Sequence, residues 1–453
     1  MSYTPNTEAD RQAMLATIGV DSIDDLFRDI PASARVKALN LPPSLSEMDA
    51  VRLLRSLSSQ NADLSRYSSF LGAGAYRHFI PSVVGHIIGR SEFYTAYTPY
   101  QPEVSQGTLQ TIYEYQSMLS ELTGMDIANA SMYDGASALG EAVIMATAVT
   151  RRKKTVIANT VHPHYREVAQ TYAVGPGLQI DIIGPTFGES FDARLAIDAA
   201  RTALDTETAA LVVQQPNFLG SIEDLRGLAD AAHAVGALLI VVINPIALGL
   251  LESPGAAGAD IVVGEGQPLG IPLAYGGPWL GIFAASEKLV RQIPGRIVGQ
   301  TTDLDGRRGF VLTLQTREQH IRRERATSNI CTNVALCALA STVYLSTIGK
   351  VGLRKIANLC LRKSHYAASR IAEIPGFAIP NQSPFFHEFV VRCPVPVRDL
   401  KERLHAQGIL PGFHLGPIFA SLDDCLLVCT TETNTKDEID RLVAALAAAS
   451  ATA

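Results

Sequence analysis

The sequence predicts an α/β protein with a large, mainly parallel sheet domain and a smaller C-terminal α/β domain. Three observations carry this prediction. From about residue 108, short apolar runs alternate with segments of helical periodicity. The runs are apolar throughout, as strands covered by helices on both faces must be. After Ile330 a long helical stretch leads into a second, shorter alternation.

Residues 1–70 read as an N-terminal helical arm. Its helical pieces fall within 7–58: ADRQAMLATIG keeps a helical rhythm and stops at Gly19, Pro31 and Pro42-Pro43 interrupt, and SEMDAVRLLRSL starts from a Ser46 cap. Residues 71–107 (GAGAYRHFIPSVVGHIIGRSEFYTAYTPYQPEVSQG) turn rich in Gly, Pro and Tyr. So many amphipathic rings in so little regular structure rarely serve a core alone, so a long ordered loop lining a site or an interface is expected.

The large domain, 108–330, follows in order. Helix LQTIYEYQSMLSELTG precedes the short run IANASMY, helix ASALGEAVIMATAV, strand TVIAN, a helix after HPHYREVAQTYA and strand LQIDIIG. Then come a helix in ARLAIDAARTAL, strand AALVVQQP, helix EDLRGLADAAHAVG and the strands ALLIVVIN and ADIVVGEG. Residues 331–453 form the small C-terminal domain, near the usual domain size.

Composition narrows the function classes. Of 453 residues, 47% are hydrophobic and only 18% charged, against about 25% charged in an average domain, so surface must be hidden in a core or under a partner chain. The net charge is −6 and the basic residues are scattered rather than striped, which gives nucleic-acid binding little support; no nucleic-acid partner is expected. The six cysteines lie in the last third with no CxxC and no His pair at finger distance, and read as buried free thiols of a reducing, cytoplasmic compartment. The start MSYTPNTEADRQAML is expected to carry no secretory signal. Ala234–Leu251 approaches membrane-span length, but Asn244-Pro245 interrupts it and Leu238–Ile243 suits a covered strand, so no membrane partner is expected.

Three segments could carry chemistry. Tyr133–Glu141 (YDGASALGE) places small residues at a helix start, where backbone amides could cradle a phosphate or simply open a helix. Gly264–Gly270 (GEGQPLG) ends a strand with a glycine-flanked polar residue, placing a side chain at the carboxyl edge of the sheet, where open α/β folds bind ligands. Arg317–Asn333 is a charge run ending in a hydroxyl and amide cluster, expected to cap the next helix or to hold a phosphate across an interface. His162-Pro163-His164 has no further ligand at metal spacing and reads as a helix-entry turn; no metal site is expected.

Together, Gly72–Pro81, Tyr94–Gly107, Tyr133–Gly140, Asp260–Gly277 and Arg317–Asn333 resemble the glycine cleavage system P-protein family, in the form whose decarboxylating glycine dehydrogenase is split into two chains, and there its subunit 1 (alpha). The resemblance spans nearly the whole chain. It implies a fold-type I, aspartate-aminotransferase-like pyridoxal-phosphate fold with active sites at a dimer interface. In related catalytic chains a lysine after a histidine holds the cofactor as a Schiff base. Alignment on the Gly-Gly-Pro turn puts Gln267 in the lysine's place and Asn244 nearest the carboxylate that faces the pyridinium nitrogen.

A Schiff-base lysine needs a desolvated site that lowers its pKa. The lysines here are Lys37, Lys153, Lys154, Lys288, Lys350, Lys355, Lys363, Lys401 and Lys436, and none is expected at a strand end facing the carboxyl edge. The resemblance therefore implies pyridoxal 5'-phosphate bound covalently by a partner, subunit 2 (beta), in an alpha2beta2 assembly. Lipoylated H-protein accepts the aminomethyl group, and the other glycine cleavage proteins act alongside. Thr327, Ser328 and Asn329 are the candidates for touching the partner's cofactor, and Tyr94, Tyr97, Thr98 and Tyr100 for lining the substrate or lipoyl channel. Two other expectations stay open: a self-sufficient homodimeric pyridoxal-phosphate enzyme, and a non-catalytic structural or regulatory paralogue.

Overall fold

The computed structural model describes residues 6–36 and 38–451; Lys37 and the extreme ends of the expected arm and C-terminal domain lie outside them. The chain divides into two compact units, one up to Ala62 and one from Asp63.

In the first unit, α1 (Glu8–Ile18) opens on a capping box between Thr7 and Asp10 and closes at Gly19, whose φ of 82° is the left-handed conformation glycine accepts without cost. Helix α2 (Glu47–Ser58) starts at Ser46, whose hydroxyl accepts the Asp49 N–H. Leu15 is the one buried apolar residue among those described in this unit, whereas Phe27, Val36, Leu39, Leu41 and Leu54 are exposed.

The second unit opens with Ser68-Ser69, which pairs in parallel with Ile409-Leu410 of the C-terminal part. The Tyr-rich segment is not a bare loop: it holds α3 (Ser82–Ile88) and α4 (Ser91–Tyr94). Pro81 and Gly89 read as breakers in the sequence, but they stand at the N-cap and C-cap of α3, where neither costs a helical hydrogen bond.

Helix α5 (Gln106–Thr123) then leads into the large sheet. Its strands are β1 (Ile127–Ala128), β2 (Lys154–Ala158), β3 (Gln179–Ile183), β4 (Thr208–Gln215), β5 (Leu238–Ile243), β6 (Ile261–Glu265) and β7 (Gly281–Ala285). They lie in the order β1-β7-β6-β5-β4-β2-β3. Strands β3, β2, β4, β5 and β6 pair in parallel, and only β7 runs against its neighbours. Helices α6 (Gly135–Thr150), α7 (Pro163–Val174), α8 (Ile197–Ala203) and α9 (Leu225–Ala234) provide the crossovers. Leu239, Ile240 and Val241 are fully buried, as expected for a strand covered on both faces.

Between the sheet and the C-terminal part, β8 (Ile297–Thr302) and β9 (Arg308–Thr313) form an antiparallel hairpin that the apolar pattern does not announce. The charge run folds as the single turn α10 (Gln319–Arg322) and a 3-10 turn at Arg323–Arg325, not as a continuous helix.

Helix α11 (Ala335–Ala372) is long and apolar enough to cross a membrane by composition alone. Gly349, at φ 59° and ψ −179°, breaks it, and Ala338, Ala340 and Tyr344 of its first half are buried in the core. Its second half carries Ala367 and Ile371 into a separate core with β10 (Glu388–Arg392), α12 (Val397–His405), β12 (Cys425–Cys429) and α13 (Lys436–Ala451), whereas Phe413 of the short strand β11 (Phe413–His414) packs on another cluster with Phe218 and Leu427. Strand β12 lies between β10 and β11, antiparallel to both.

Candidate functional site

The parallel strands deliver their C-terminal residues to one edge, where Gln214, Asn244 and Glu265 surround a cavity with Gly74, Tyr76, His162 and Tyr165. The cavity measures about 20 Å³, room for about one water molecule.

Gln267 is 2% exposed and its side chain is fully bonded. Its Oε1 accepts the Tyr76 N–H at 3.0 Å, and its Nε2 donates to Tyr76 O at 2.9 Å and to Ile271 O at 2.8 Å. The residue in the lysine's place is therefore a clamp, closing Tyr76 over the strand ends.

Glu265 occupies the start of α6. Its Oε2 accepts the Gly135 N–H at 3.0 Å, and its Oε1 accepts Gln267 N at 3.0 Å and Leu280 N at 2.9 Å. Burial pushes its carboxyl up to about 7 against these three donors. Asp134 takes the Ser137 N–H at 2.8 Å and completes a capping box. The segment that could cradle a phosphate thus has its first donors taken by the chain's own carboxylates, and a phosphate there would meet Glu265.

Asn244 accepts Ile246 N at 3.0 Å and lies 3.3 Å from His387 Nε2. Burial holds the His387 ring well below its usual range, so it is neutral. Glu388 beside it accepts Ala73 N at 2.6 Å and the Tyr76 hydroxyl at 2.7 Å, and burial pushes its carboxyl up to about 7. His162 caps α7, accepting His164 N on Nδ1 at 3.2 Å, while its Nε2 meets Ala73 O at 2.9 Å. Burial pushes it down to about 4, so it too is neutral. Gly74, at φ 100°, lies so close to His162 that a Cβ would fall 2.6 Å from Nε2.

These residues do not fit a pyridoxal phosphate of the chain's own. The edge has no lysine, no room and a carboxylate where the phosphate would sit. Among the described lysines, Lys154 begins β2 at the opposite edge and pairs with Asp205 at 2.8 Å.

A second cavity of about 220 Å³ lies between the Tyr-rich segment and the start of α11. Tyr94, Tyr97 and Thr98 line it with Thr332, Asn333 and Leu336. Tyr100 stands apart from this lining: its hydroxyl accepts from Arg296 Nη2 at 3.1 Å. Arg296 also donates to Thr332 Oγ1 at 2.6 Å and to Cys331 O at 2.9 Å, with Glu318 at 3.6 Å. It is 3% exposed and ties the Tyr segment to the chain before α11. Sequence reasoning passed over it, although an arginine inside the apolar stretch IPGRIV has to find buried partners.

The hydroxyl and amide cluster does not cap α11. The N-cap position is Val334, without a side-chain cap; Asn333 donates instead to Ala130 O at 3.0 Å. Ser328 Oγ accepts Ile330 N at 3.1 Å, and its hydroxyl also meets the buried Glu141. Thr327 and Asn329 have no side-chain hydrogen bond among the described residues, and Asn329 is exposed.

His78, Cys360 and Glu432 bring three possible ligand atoms within 4.8 Å of one another. Glu432 spends its oxygens on His78 Nδ1 at 2.7 Å and Phe79 N at 2.7 Å, so the cluster is a hydrogen-bonded node.

The model of the family described as "Glycine cleavage system P-protein" matches residues 1–446. A protein of Thermomicrobium roseum, "probable glycine dehydrogenase (decarboxylating) subunit 1", is 54% identical over 452 residues, covering 100% of both chains. The inhibitor-bound crystal structure of a glycine decarboxylase (P-protein) of the glycine cleavage system superposes with a TM-score of 0.88 at 41% identity, over 99% of this chain and 100% of that one. Sphingosine-1-phosphate lyase of Burkholderia pseudomallei shares the fold alone, with a TM-score of 0.66 at 15% identity over 93% and 95% of the two chains. The architecture is the fold-type I pyridoxal-phosphate fold expected above. With the family model matched over residues 1–446 and a relative 54% identical along the whole chain, this chain belongs to the glycine cleavage system P-protein family.

Proposed function

We propose that this chain is subunit 1 of a glycine dehydrogenase (aminomethyl-transferring, decarboxylating), and that the pyridoxal-phosphate lysine sits on subunit 2 in an alpha2beta2 enzyme. The carrying observation is the Gln267 clamp on Tyr76, which with Glu265 and Pro268 lines a strand-end cavity of only about 20 Å³. A chain of this family that cannot hold the cofactor needs a second chain that does. The names of its relatives, subunit 1, fit that division.

Pyridoxal phosphate, when bound by the partner, supplies the electron sink for loss of CO2 from glycine. This chain supplies walls and donors. Thr327 and Asn329 keep uncommitted polar groups for the partner's cofactor, and Ser328 joins them once its hydroxyl leaves Glu141. Tyr94, Tyr97 and Thr98 line the cavity of about 220 Å³ that would take glycine or a lipoyl arm, and Arg296 holds Tyr100 by its hydroxyl. H-protein is the carrier that would present that arm. The exposed apolar residues of the first unit are candidate surface for subunit 2. The cysteines are free but not all buried as expected, Cys331 being exposed and Cys337 half-buried, and free thiols suit a cytoplasmic setting.

The test is to express the two chains separately and together. The expected result is that this chain alone is colourless, yields no pyridoxyl-lysine after borohydride reduction, and supports glycine-bicarbonate exchange only with its partner. A pyridoxyl adduct on any lysine here would overturn the proposal in favour of a self-sufficient homodimer. Full exchange by the partner alone would favour a structural paralogue.

A further inference from the structure

The loop between Gln267 and β7 is built against its own conformational preferences. Ala274 and Tyr275 both take left-handed φ values, 44° and 54°, followed by Gly276 at 110° and Gly277 at 144°. For the two glycines this conformation is free; for alanine and tyrosine it brings Cβ against the following carbonyl oxygen and is strained. Within the chain, Tyr275 gains nothing in return. It is 91% exposed and makes no hydrogen bond or ring contact among the described residues.

The loop is nevertheless fastened at both ends. Gln267 Nε2 holds Ile271 O, Gly276 N donates to Leu273 O at 2.9 Å, and Trp279 Nε1 donates to the same carbonyl at 3.2 Å while its ring packs on the large core. The loop cannot relax toward an unstrained path without releasing those bonds. From Pro272 to Trp279 it carries no charged side chain, although Pro272, Ala274, Tyr275 and Pro278 are exposed. An uncharged, rigid, solvent-facing loop with a tyrosine at its tip has the composition of an interface centre, where charges are depleted and aromatic rings are enriched.

We propose that Tyr275 is an anchor for the second subunit, its ring entering a pocket on that chain, with the Gln267 clamp holding the loop that presents it. The inference rests on the two-subunit reading above. The strain is offset in the complex, where a preorganised aromatic side chain loses little freedom on burial.

The experiment compares the wild-type chain with Tyr275→Gly, Tyr275→Ala and Tyr275→Phe, each titrated with purified subunit 2, and records the melting temperature of each free chain. The expected result is at least tenfold weaker assembly for Tyr275→Gly and Tyr275→Ala, the loss typical of an aromatic anchor. Tyr275→Phe should keep most of the affinity. The free Tyr275→Gly chain should melt at the wild-type temperature or above it, because the strained residue has been relieved. Assembly of Tyr275→Gly and Tyr275→Ala at wild-type affinity would overturn the proposal, even if only the use of H-protein were impaired. A lower melting temperature for free Tyr275→Gly would also overturn it, by showing that the ring serves its own fold. If the wild-type chain forms no complex, the two-subunit reading falls and this inference with it; if the wild type assembles and the variants match it, the inference alone falls.

Discussion

The Gln267 side chain and the Tyr76 backbone form a two-way hydrogen-bonded pair, Tyr76 N donating to Oε1 and Nε2 donating to Tyr76 O. It ties residues 191 apart in sequence across the place where a catalytic chain would keep its cofactor. Gln267→Ala would leave Tyr76 N, Tyr76 O and Ile271 O without that partner in a buried site, at a cost of about 2–4 kcal/mol. Denaturant unfolding of the isolated chain measures it; an unchanged midpoint would refute the clamp. Gln267→Lys should restore no activity, since Asn244 offers no carboxylate, Glu265 fills the helix start, and a lysine would have to displace Tyr76.

Four buried carboxyls, Glu141, Glu223, Glu265 and Glu388, are each pushed up to about 7 by burial. Each binds its proton more tightly folded than unfolded. Their stabilisation is complete below the unfolded value near 4.5 and is lost as pH rises through about 7. Asp63, pulled down to about 2 by Ser65 and Arg66, acts with the opposite sign but only at lower pH, while His162 and His387, held below the usual 6.5 by burial, oppose the fall up to about that pH; four carboxyls against two imidazoles leave a net fall. The unfolding midpoint of the isolated chain should therefore fall between pH 5 and 8, roughly the window these shifts span. Glu388→Gln should make the fall shallower. A flat or rising midpoint over that window would contradict the assignment.

Arg296 reaches the Tyr100 hydroxyl, Thr332 Oγ1 and Cys331 O with its two terminal nitrogens, and no ammonium can span all three. Arg296→Lys should cost about 3 kcal/mol, as for a buried charge that loses its partners. In the reconstituted enzyme it should also lower turnover through the displaced Tyr segment. Equilibrium unfolding together with exchange activity tests this. A lysine variant within about 0.5 kcal/mol of wild type, the scatter of neutral surface changes, would show that the contacts are incidental.

What was legible in the sequence depended on how local its cause is. The Leu238–Ile243 run suits a strand covered on both faces, and Ser46 and Gly19 mark helix ends through bonds spanning a few residues. The hairpin at Ile297–Thr313 escaped notice because its strands are half exposed and its turn, with Gly306 at φ 78°, sits within the run DLDGR. The role of Glu265 could not be read at all: its three donors come from residues 135, 267 and 280, which only the sheet order brings together. For the same reason Gln267 was legible as a missing lysine but not as a clamp.

Thr327 and Tyr97 stand on two polar surfaces whose proposed roles toward the partner are separable by mutation. Thr327 is half-buried with its hydroxyl uncommitted, and Arg322, Arg323 and Arg325 on the same segment are exposed, so an anion brought to this edge meets both a donor and a favourable field. Removing the hydroxyl in Thr327→Ala should weaken cofactor retention in the reconstituted complex by about 1–2 kcal/mol, the scale of one hydrogen bond to a charged group. Tyr97 lies on the other surface, in the 220 Å³ cavity, and is 85% exposed. Tyr97→Phe keeps the ring and removes only its polar tip, so cofactor affinity should hold while glycine-bicarbonate exchange slows. The two variants therefore separate the roles: cofactor titration should move with Thr327 and turnover with Tyr97. If neither quantity changes in either variant, this face supports only the partner's fold.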